Sequence, residues 1–471
     1  MKRNENYSAA HFDTSRACVG AAPALTLGLM STGQIDDTET AFAIAPFRFD
    51  VTPPLHHALL GGLVMSAIDY DDPLEAIGYV LLGAGAPIVV CAVDWAGLLN
   101  ESHLAWRTAL AAAAGTTPDR VAVHCVHQHN TPFVCHETRS IAATHPELPP
   151  VFELPFFESC LDRARTAVRH ALQRPQPITH VAHGQATVHN VAANRRMDRD
   201  ASGRVRSMRG SACTDPELRS MPEGLIDPTL QTIAFYAGAR KVVSCHYYAT
   251  HPMSYYRDGR VSSDFVGLAR KQRQHDEPGC TQLYFTGCAG NVAAGKYNDG
   301  SPADRSALTQ RVYDGIVASE AALVPTPLTT ITWRSQSILP TPRPAPAPTA
   351  LGMEVGAKAG PEAQQIGTLL HAFWTSWEHR VARQIPLSLS CLQVNACALL
   401  HLPGELFVEY QLLARALRPD RPVLVAAYGD GGPWYIPTAS EYPAGGYEVS
   451  VAFSEPSIDA QLTTALRLLL A

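Results

Sequence analysis

The segment Val123-His124-Cys125-Val126-His127-Gln128-His129-Asn130-Thr131-Pro132-Phe133 holds the residues best suited to chemistry. Residues 121–126 read as a buried strand that ends by delivering two histidines, and side chains two apart on a strand look the same way. Neutral imidazole is the commonest protein metal ligand, so His127 and His129 would bring two rings to one metal or catalytic centre. The polar, turn-forming Asn130-Thr131-Pro132 suits a strand that opens into a site. Taken alone, the pair reads equally well as two surface histidines at a strand end.

Five further places combine reactive residues with a local structure that could present them. His251, in Ala249-Thr250-His251-Pro252-Met253-Ser254, directly follows a strand, and Pro252 biases it to an extended backbone. Asn194-Arg195-Arg196 follows the strand that ends near Val188. Thr286-Gly287-Cys288-Ala289-Gly290-Asn291 is a small-residue loop able to bring backbone N–H groups close to a ligand. Leu402-Pro403-Gly404-Glu405 places a carboxylate at the mouth of an apolar strand. Trp434-Tyr435-Ile436-Pro437-Thr438 is followed by Glu441-Tyr442 and Gly446-Tyr447-Glu448. Singly, each also fits a plain structural role, such as a loop histidine, a carboxylate at a helix N-terminus or a core tyrosine.

The elements that must position these groups alternate. Strands are expected at 44–51, 76–82, 87–93, 178–189, 229–237, 241–248, 281–286, 390–400 and 422–428. Helical spacing covers 101–114, 153–173, 302–323 and 458–470, and a helical hairpin arm occupies 361–382. Residues 340–348 form a stiff proline-rich connector. This alternation predicts an α/β fold, a large mixed β-sheet with flanking helices. The domain reading is a loosely held extension over 1–40 and one catalytic domain over 41–471, and no internal repeat is visible.

The 471 residues are 46% hydrophobic and 17% charged with a formal net charge of −6, a soluble globular composition. No basic run suggests nucleic acid as a partner, and no apolar stretch is long enough to span a bilayer. The 11 cysteines contain no CxxC pair, which reads as buried free thiols in a reducing compartment. A cytoplasmic location is favoured over export, although Val19–Met30 is apolar enough to resemble a short signal-peptide core.

The set and its order resemble the catalytic domain of the neutral/alkaline ceramidases, from about Phe47 to the C-terminus. Phe49-Asp50-Val51-Thr52-Pro53-Pro54 is similar to the family's entry motif, and His127-Gln128-His129-Asn130-Thr131-Pro132 to its His-Thr-His-Ser-Gly-Pro. Thr250-His251-Pro252-Met253-Ser254 resembles its second histidine motif, and Pro403-Gly404-Glu405 its Pro-Gly-Glu. Tyr435-Ile436-Pro437-Thr438 with Glu441-Tyr442, and then Tyr447-Glu448, resemble its tyrosine motifs. The resemblance implies Zn²⁺ held by His127, His251, Glu405 and Tyr435, with His129, Arg195 and Tyr447 lining the reaction centre. It implies hydrolysis of an N-acyl amide in a small-molecule or lipid-like substrate. Zinc lowers the pKa of bound water from about 15.7 to about 7, yielding a nucleophile at neutral pH. Asp264 would support a histidine or cap a turn.

The chain departs from the family at the loop that carries an active-site serine, where Ala293 is the simplest match, and at Asn130-Thr131. These departures point away from ceramide itself. Two alternatives stay open: an esterase or lactonase at the same metal, and a binding protein whose site has decayed.

Overall fold

The computed structural model describes residues 42–254 and 257–471. The expected extension over 1–40 lies outside the described residues. The first sheet joins β1 (Ala43–Asp50), β2 (Glu75–Leu82), β3 (Ile88–Val93) and β4 (Val121–Cys125) in the order β4-β3-β2-β1. Strands β1, β2 and β3 pair antiparallel, whereas β3 and β4 run parallel. Every residue of β3 and β4 is buried, so their sequences are near-continuous apolar runs, as parallel strands covered on both faces require. Helix α1 (Asn100–Ala114) makes the crossover between them and stops at Gly115, whose φ of 70° is a left-handed C-cap. Helix α2 (Leu154–Ala171) then leads to a short edge strand, Gln176–Pro177, beside β1.

The same plan recurs twice. Strands β5 (His180–Thr187), β6 (Thr229–Ala237), β7 (Arg240–Tyr248) and β8 (Thr281–Thr286) pair antiparallel, antiparallel and parallel. Helix α3 (Asp264–Asp276) supplies the crossover, and α4 (Pro302–Ala321) returns the chain to the edge strand Thr326–Pro327 beside β5. Strands β9 (Ile331–Ile338), β10 (Leu387–Val394), β11 (Cys397–His401) and β12 (Val423–Ala426) repeat the pattern. Here the helices α5 (Pro348–Glu354) and α6 (Pro361–Ala382) are inserted between β9 and β10. Helix α7 (Val408–Leu417) makes the crossover, and α8 (Ile458–Leu470) closes the chain.

The fold is therefore three topological repeats, a feature the sequence reading missed. The repeat resides in strand order and crossover position, while side chains and insertion lengths differ between copies. The expected α/β class with mixed sheets holds, and the β-structure is divided among these sheets rather than gathered into one. The described residues belong to the compact unit Thr40–Ala471.

The three parallel pairs meet at their C-terminal ends. Cys125 N donates to Tyr428 O at 2.8 Å, and Ala427 N donates to Thr286 O at 2.9 Å. Thr286 Oγ1 donates to Val126 O at 2.7 Å. These bonds tie the first repeat to the third and second, and the second to the third, at one point in the molecule.

Most expected elements appear within two or so residues of their predicted ends. Helices α3 and α7 and strand β9 were not anticipated. The run 390–400, read as one strand, is a hairpin that reverses at Asn395, whose φ is 47°. The expected arm over 361–382 is α6, packed against α5 so closely that a Cβ on Gly367 would lie 1.6 Å from Pro348 O. Ten cysteines are described, and all are buried and unpaired. No helix among the described residues is long and apolar enough to cross a membrane.

Candidate metal centre

All the expected site residues lie around the junction where the strand ends meet. Strand β4 stops at Cys125, and His127 sits beyond it with φ of 79°. The two histidines thus converge through a turn, not through strand alternation as expected, and their ring centroids are 4.8 Å apart. His251 follows β7, and its N–H donates to Val292 O at 3.0 Å. Glu405 follows β11 and forms a short parallel bridge with Tyr435, which lies beyond β12. Each of the three repeats contributes at least one of these side chains.

The imidazoles are held in defined tautomers. His127 Nδ1 lies 2.6 Å from Ala96 O, His251 Nδ1 2.7 Å from Ala289 O, and His129 Nδ1 3.1 Å from His127 O. A carbonyl only accepts, so each Nδ1 carries the proton and each Nε2 retains its lone pair. The ligand-type nitrogens of His127, His129 and His251 lie within 4.8 Å of one another. Glu405 Oε2 is 3.0 Å from His127 Nε2 and 3.3 Å from His251 Nε2. The Tyr435 hydroxyl is 3.3 Å from His251 Nε2.

His127 Nε2 and Glu405 Oε2 are buried and make no hydrogen bond, even with each other. Donor atoms in contact without bonding face a common point. Ligands about 2.05 Å from a tetrahedral cation stand about 3.3 Å from one another, close to the 3.0 Å and 3.3 Å from Glu405 Oε2 to the two imidazoles and the 3.3 Å from the Tyr435 hydroxyl to His251 Nε2. The residues present therefore fit a metal ion. Burial alone would raise the Glu405 carboxyl, but His127 and His251 hold it well below the usual carboxylate range. Burial, with Arg195 adding, pushes the His251 imidazole down to about 4.

Arg195 is fixed from several directions. Its backbone N–H donates to Asn291 O, and the preceding Ala193–Asn194 pairs with Val292–Ala293. Its guanidinium donates to Glu448 Oε1 at 3.1 Å, Gly290 O at 2.6 Å and the Tyr435 hydroxyl at 3.1 Å. Tyr447 meets the Tyr435 ring edge-on at 5.6 Å. His127, His129, Arg195, Glu405, Tyr435 and Tyr447 all line a cavity of about 340 Å³. Its apolar lining includes Leu60, Leu63, Phe133, Ile366, Leu370 and Trp434.

Two expected roles are corrected. Asp264 does not touch a histidine; it accepts from the backbone N–H and hydroxyl of Ser254 and so anchors the segment that carries His251. Ala293 occupies a short ladder with Ala193 behind Arg195, and it is not among the described residues lining the cavity.

The sequence reading missed several supporting groups. The Tyr428 ring stacks on His127 at 4.3 Å with φ of 58°, a conformation that no periodicity signals. Gln128 Nε2 donates to Asp94 Oδ1 at 3.0 Å, and Asp94 Oδ2 accepts from Glu75 N and Arg270. Glu448 was quoted only within a motif, yet it joins Arg195 and Arg196 at full burial.

No family model and no curated protein matches this sequence. Among solved structures, a ceramidase complexed with C2 aligns at a TM-score of 0.68 and 15% identity, over 91% of this chain and 74% of that one. The neutral ceramidase from Pseudomonas aeruginosa aligns at 0.67 and 16% identity, over 90% and 73%. The chain has the fold of the neutral ceramidases, at the sequence distance of a divergent relative.

Proposed function

We propose that this chain is a zinc-dependent hydrolase that cleaves a linear N-acyl amide bond in a small or lipid-like molecule. The observation that carries the reading is the group of buried donor atoms gathered at one point: imidazoles whose Nδ1 atoms are held by carbonyls, with the Glu405 carboxylate and the Tyr435 hydroxyl within 3.0–3.3 Å of their Nε2 atoms. His127, His251, Glu405 and Tyr435 would hold the ion, and nitrogen and oxygen donors suit Zn²⁺. When bound, the ion supplies Lewis acidity and lowers the pKa of water.

The chain's own residues do the rest. His129 presents Nε2 toward the centre, where it takes a proton from the attacking water and returns it to the leaving nitrogen. Arg195, immobilised by Glu448 and Gly290 O, and the Tyr447 side chain stabilise charge on the carbonyl oxygen as the carbon becomes tetrahedral. Loss of one such donor costs about 3 kcal/mol of barrier. The apolar cavity wall accepts the acyl chain and excludes water. The fold shared with neutral ceramidases supports the amide assignment.

The test uses His127→Ala and Glu405→Ala, with zinc measured by mass spectrometry and hydrolysis followed on N-acyl substrates. Both variants lose stoichiometric zinc and activity while keeping the wild-type circular dichroism spectrum. Activity that persists in zinc-free protein overturns the reading, and wild-type protein that holds no zinc points to a decayed site.

A further inference from the structure

Each repeat carries an insertion between its first two strands, residues 51–74, 188–228 and 339–386, and all three reach the cavity. The first supplies Leu60, Leu63 and Val64, and the third supplies Ile366 and Leu370 from α6. These two walls meet at a floor. The Phe133 ring lies 5.4 Å from Phe373 of α6 and 5.5 Å from Trp434, which directly precedes the proposed ligand Tyr435. Phe373 itself lies 5.4 Å from Trp434. A Cβ on Gly61 would stand 2.7 Å from the Phe373 ring, so the first wall closes against α6 there. Leu60 N donates to Thr131 O at 2.8 Å, which fixes that wall to the turn carrying His127 and His129.

Helix α6 leaves this floor along the cavity. Its lining residues Leu370, Ile366 and Glu362 are four positions apart and share one face. Their exposure is graded: Leu370 is 2% exposed, Ile366 is half-buried and Glu362 is exposed. At 1.5 Å per residue, the face runs about 12 Å from floor to mouth. An extended chain of single bonds advances about 1.2 Å per bond, a third of the span of one residue, so about ten bonds cover it. The far side of α6 is fixed by α5, since a Cβ on Gly352 would lie 1.9 Å from Ala363 O. A helix so tightly backed does not retreat before a longer chain. The apolar track ends at Glu362, whose carboxylate loses hydration if a methylene chain lies against it.

Resting on the amide-hydrolase reading, we propose that this face of α6 measures the acyl chain, and that the substrate is a medium-chain N-acyl amide of about ten acyl carbons. The carbonyl sits at the metal centre. The chain passes Leu370 and Ile366 on one side and Leu60, Leu63 and Val64 on the other, and its methyl end stops beside Glu362. Burial of each methylene in this slot raises affinity about fourfold. Methylenes beyond Glu362 stay in water and add nothing.

The experiment uses a series of N-acylethanolamines with acyl chains of four to fourteen carbons, each below its micellar concentration. Binding is measured by calorimetry on chelator-treated protein, and hydrolysis on zinc-loaded protein. Wild-type affinity climbs about fourfold per methylene up to about ten carbons and then levels off. Ile366→Phe obstructs the slot one helical turn above the floor and moves that break shorter by about four carbons. Glu362→Leu, at an exposed position, lengthens the apolar track, and affinity goes on climbing past the wild-type break. Affinity that climbs unbroken to fourteen carbons in wild type, or a break that neither variant moves, overturns the proposal even if hydrolysis proceeds. A break in binding that both variants shift, without hydrolysis of any chain length, supports it and instead sinks the hydrolase reading.

Discussion

At the scale of single residues, the proposed centre depends on groups outside its own donor set. His127 has a strained backbone, and that conformation persists because its neighbours over-determine it. Gln128 reaches back to Asp94, which is itself held by Arg270 and the Glu75 N–H. Gln128→Ala removes this brace without removing a ligand. Supporting partners of this kind are worth about 10- to 100-fold in metal affinity. The variant should therefore bind zinc 10- to 100-fold more weakly in competition with a chromophoric chelator, with folding unchanged by circular dichroism. His127, His251 and Glu405 were legible in the sequence because short, ordered motifs carry them. Tyr428 and Asp94 were not, since they act through stacking and hydrogen bonds between segments far apart in the chain.

At the scale of elements, the strands were read well where their apolar runs are continuous, as in β3, β4 and β8. Helix α3 was hidden by its charged face, and α7 by its position directly behind the Pro403-Gly404-Glu405 motif. The hairpin of β10 and β11 turns on Asn395-Ala396, which lacks the glycine that usually betrays such a loop. Strands β4 and β11 are joined by a buried imidazole pair, with His124 Nε2 3.0 Å from His401 Nδ1. Burial pushes His124 down to about 3. The unfolded chain takes up a proton near pH 6.5, while the folded protein resists it until about pH 3. Stability should therefore fall as pH drops through this window. Chemical denaturation at stepped pH should show a shallower decline for His124→Gln than for wild type. An unchanged slope would show that the pair carries no part of the acid sensitivity.

At the scale of the whole molecule, the threefold plan explains why the proposed ligands are so widely spaced. The first repeat offers His127, the second His251, and the third Glu405 and Tyr435. An ion bound there ties all three together, so its binding energy adds to folding stability. At a free zinc concentration a thousand times Kd, this amounts to about 4 kcal/mol. Calorimetry should show a melting temperature that rises with zinc in wild type and stays flat in Glu405→Ala. The repeat left no trace in the sequence because each copy has been cut to a different task. One carries two histidines, one a histidine and the glycine-rich loop, and one a glutamate and tyrosines.

Enclosure of His127 Nε2 and Glu405 Oε2 also bears on how the centre is filled. An ion entering the proposed centre must shed its hydration shell inside the 340 Å³ cavity. If zinc fills that centre, its uptake by stripped protein should be slow beside diffusion. The history of a sample, as well as its zinc concentration, would then set how much of it is charged.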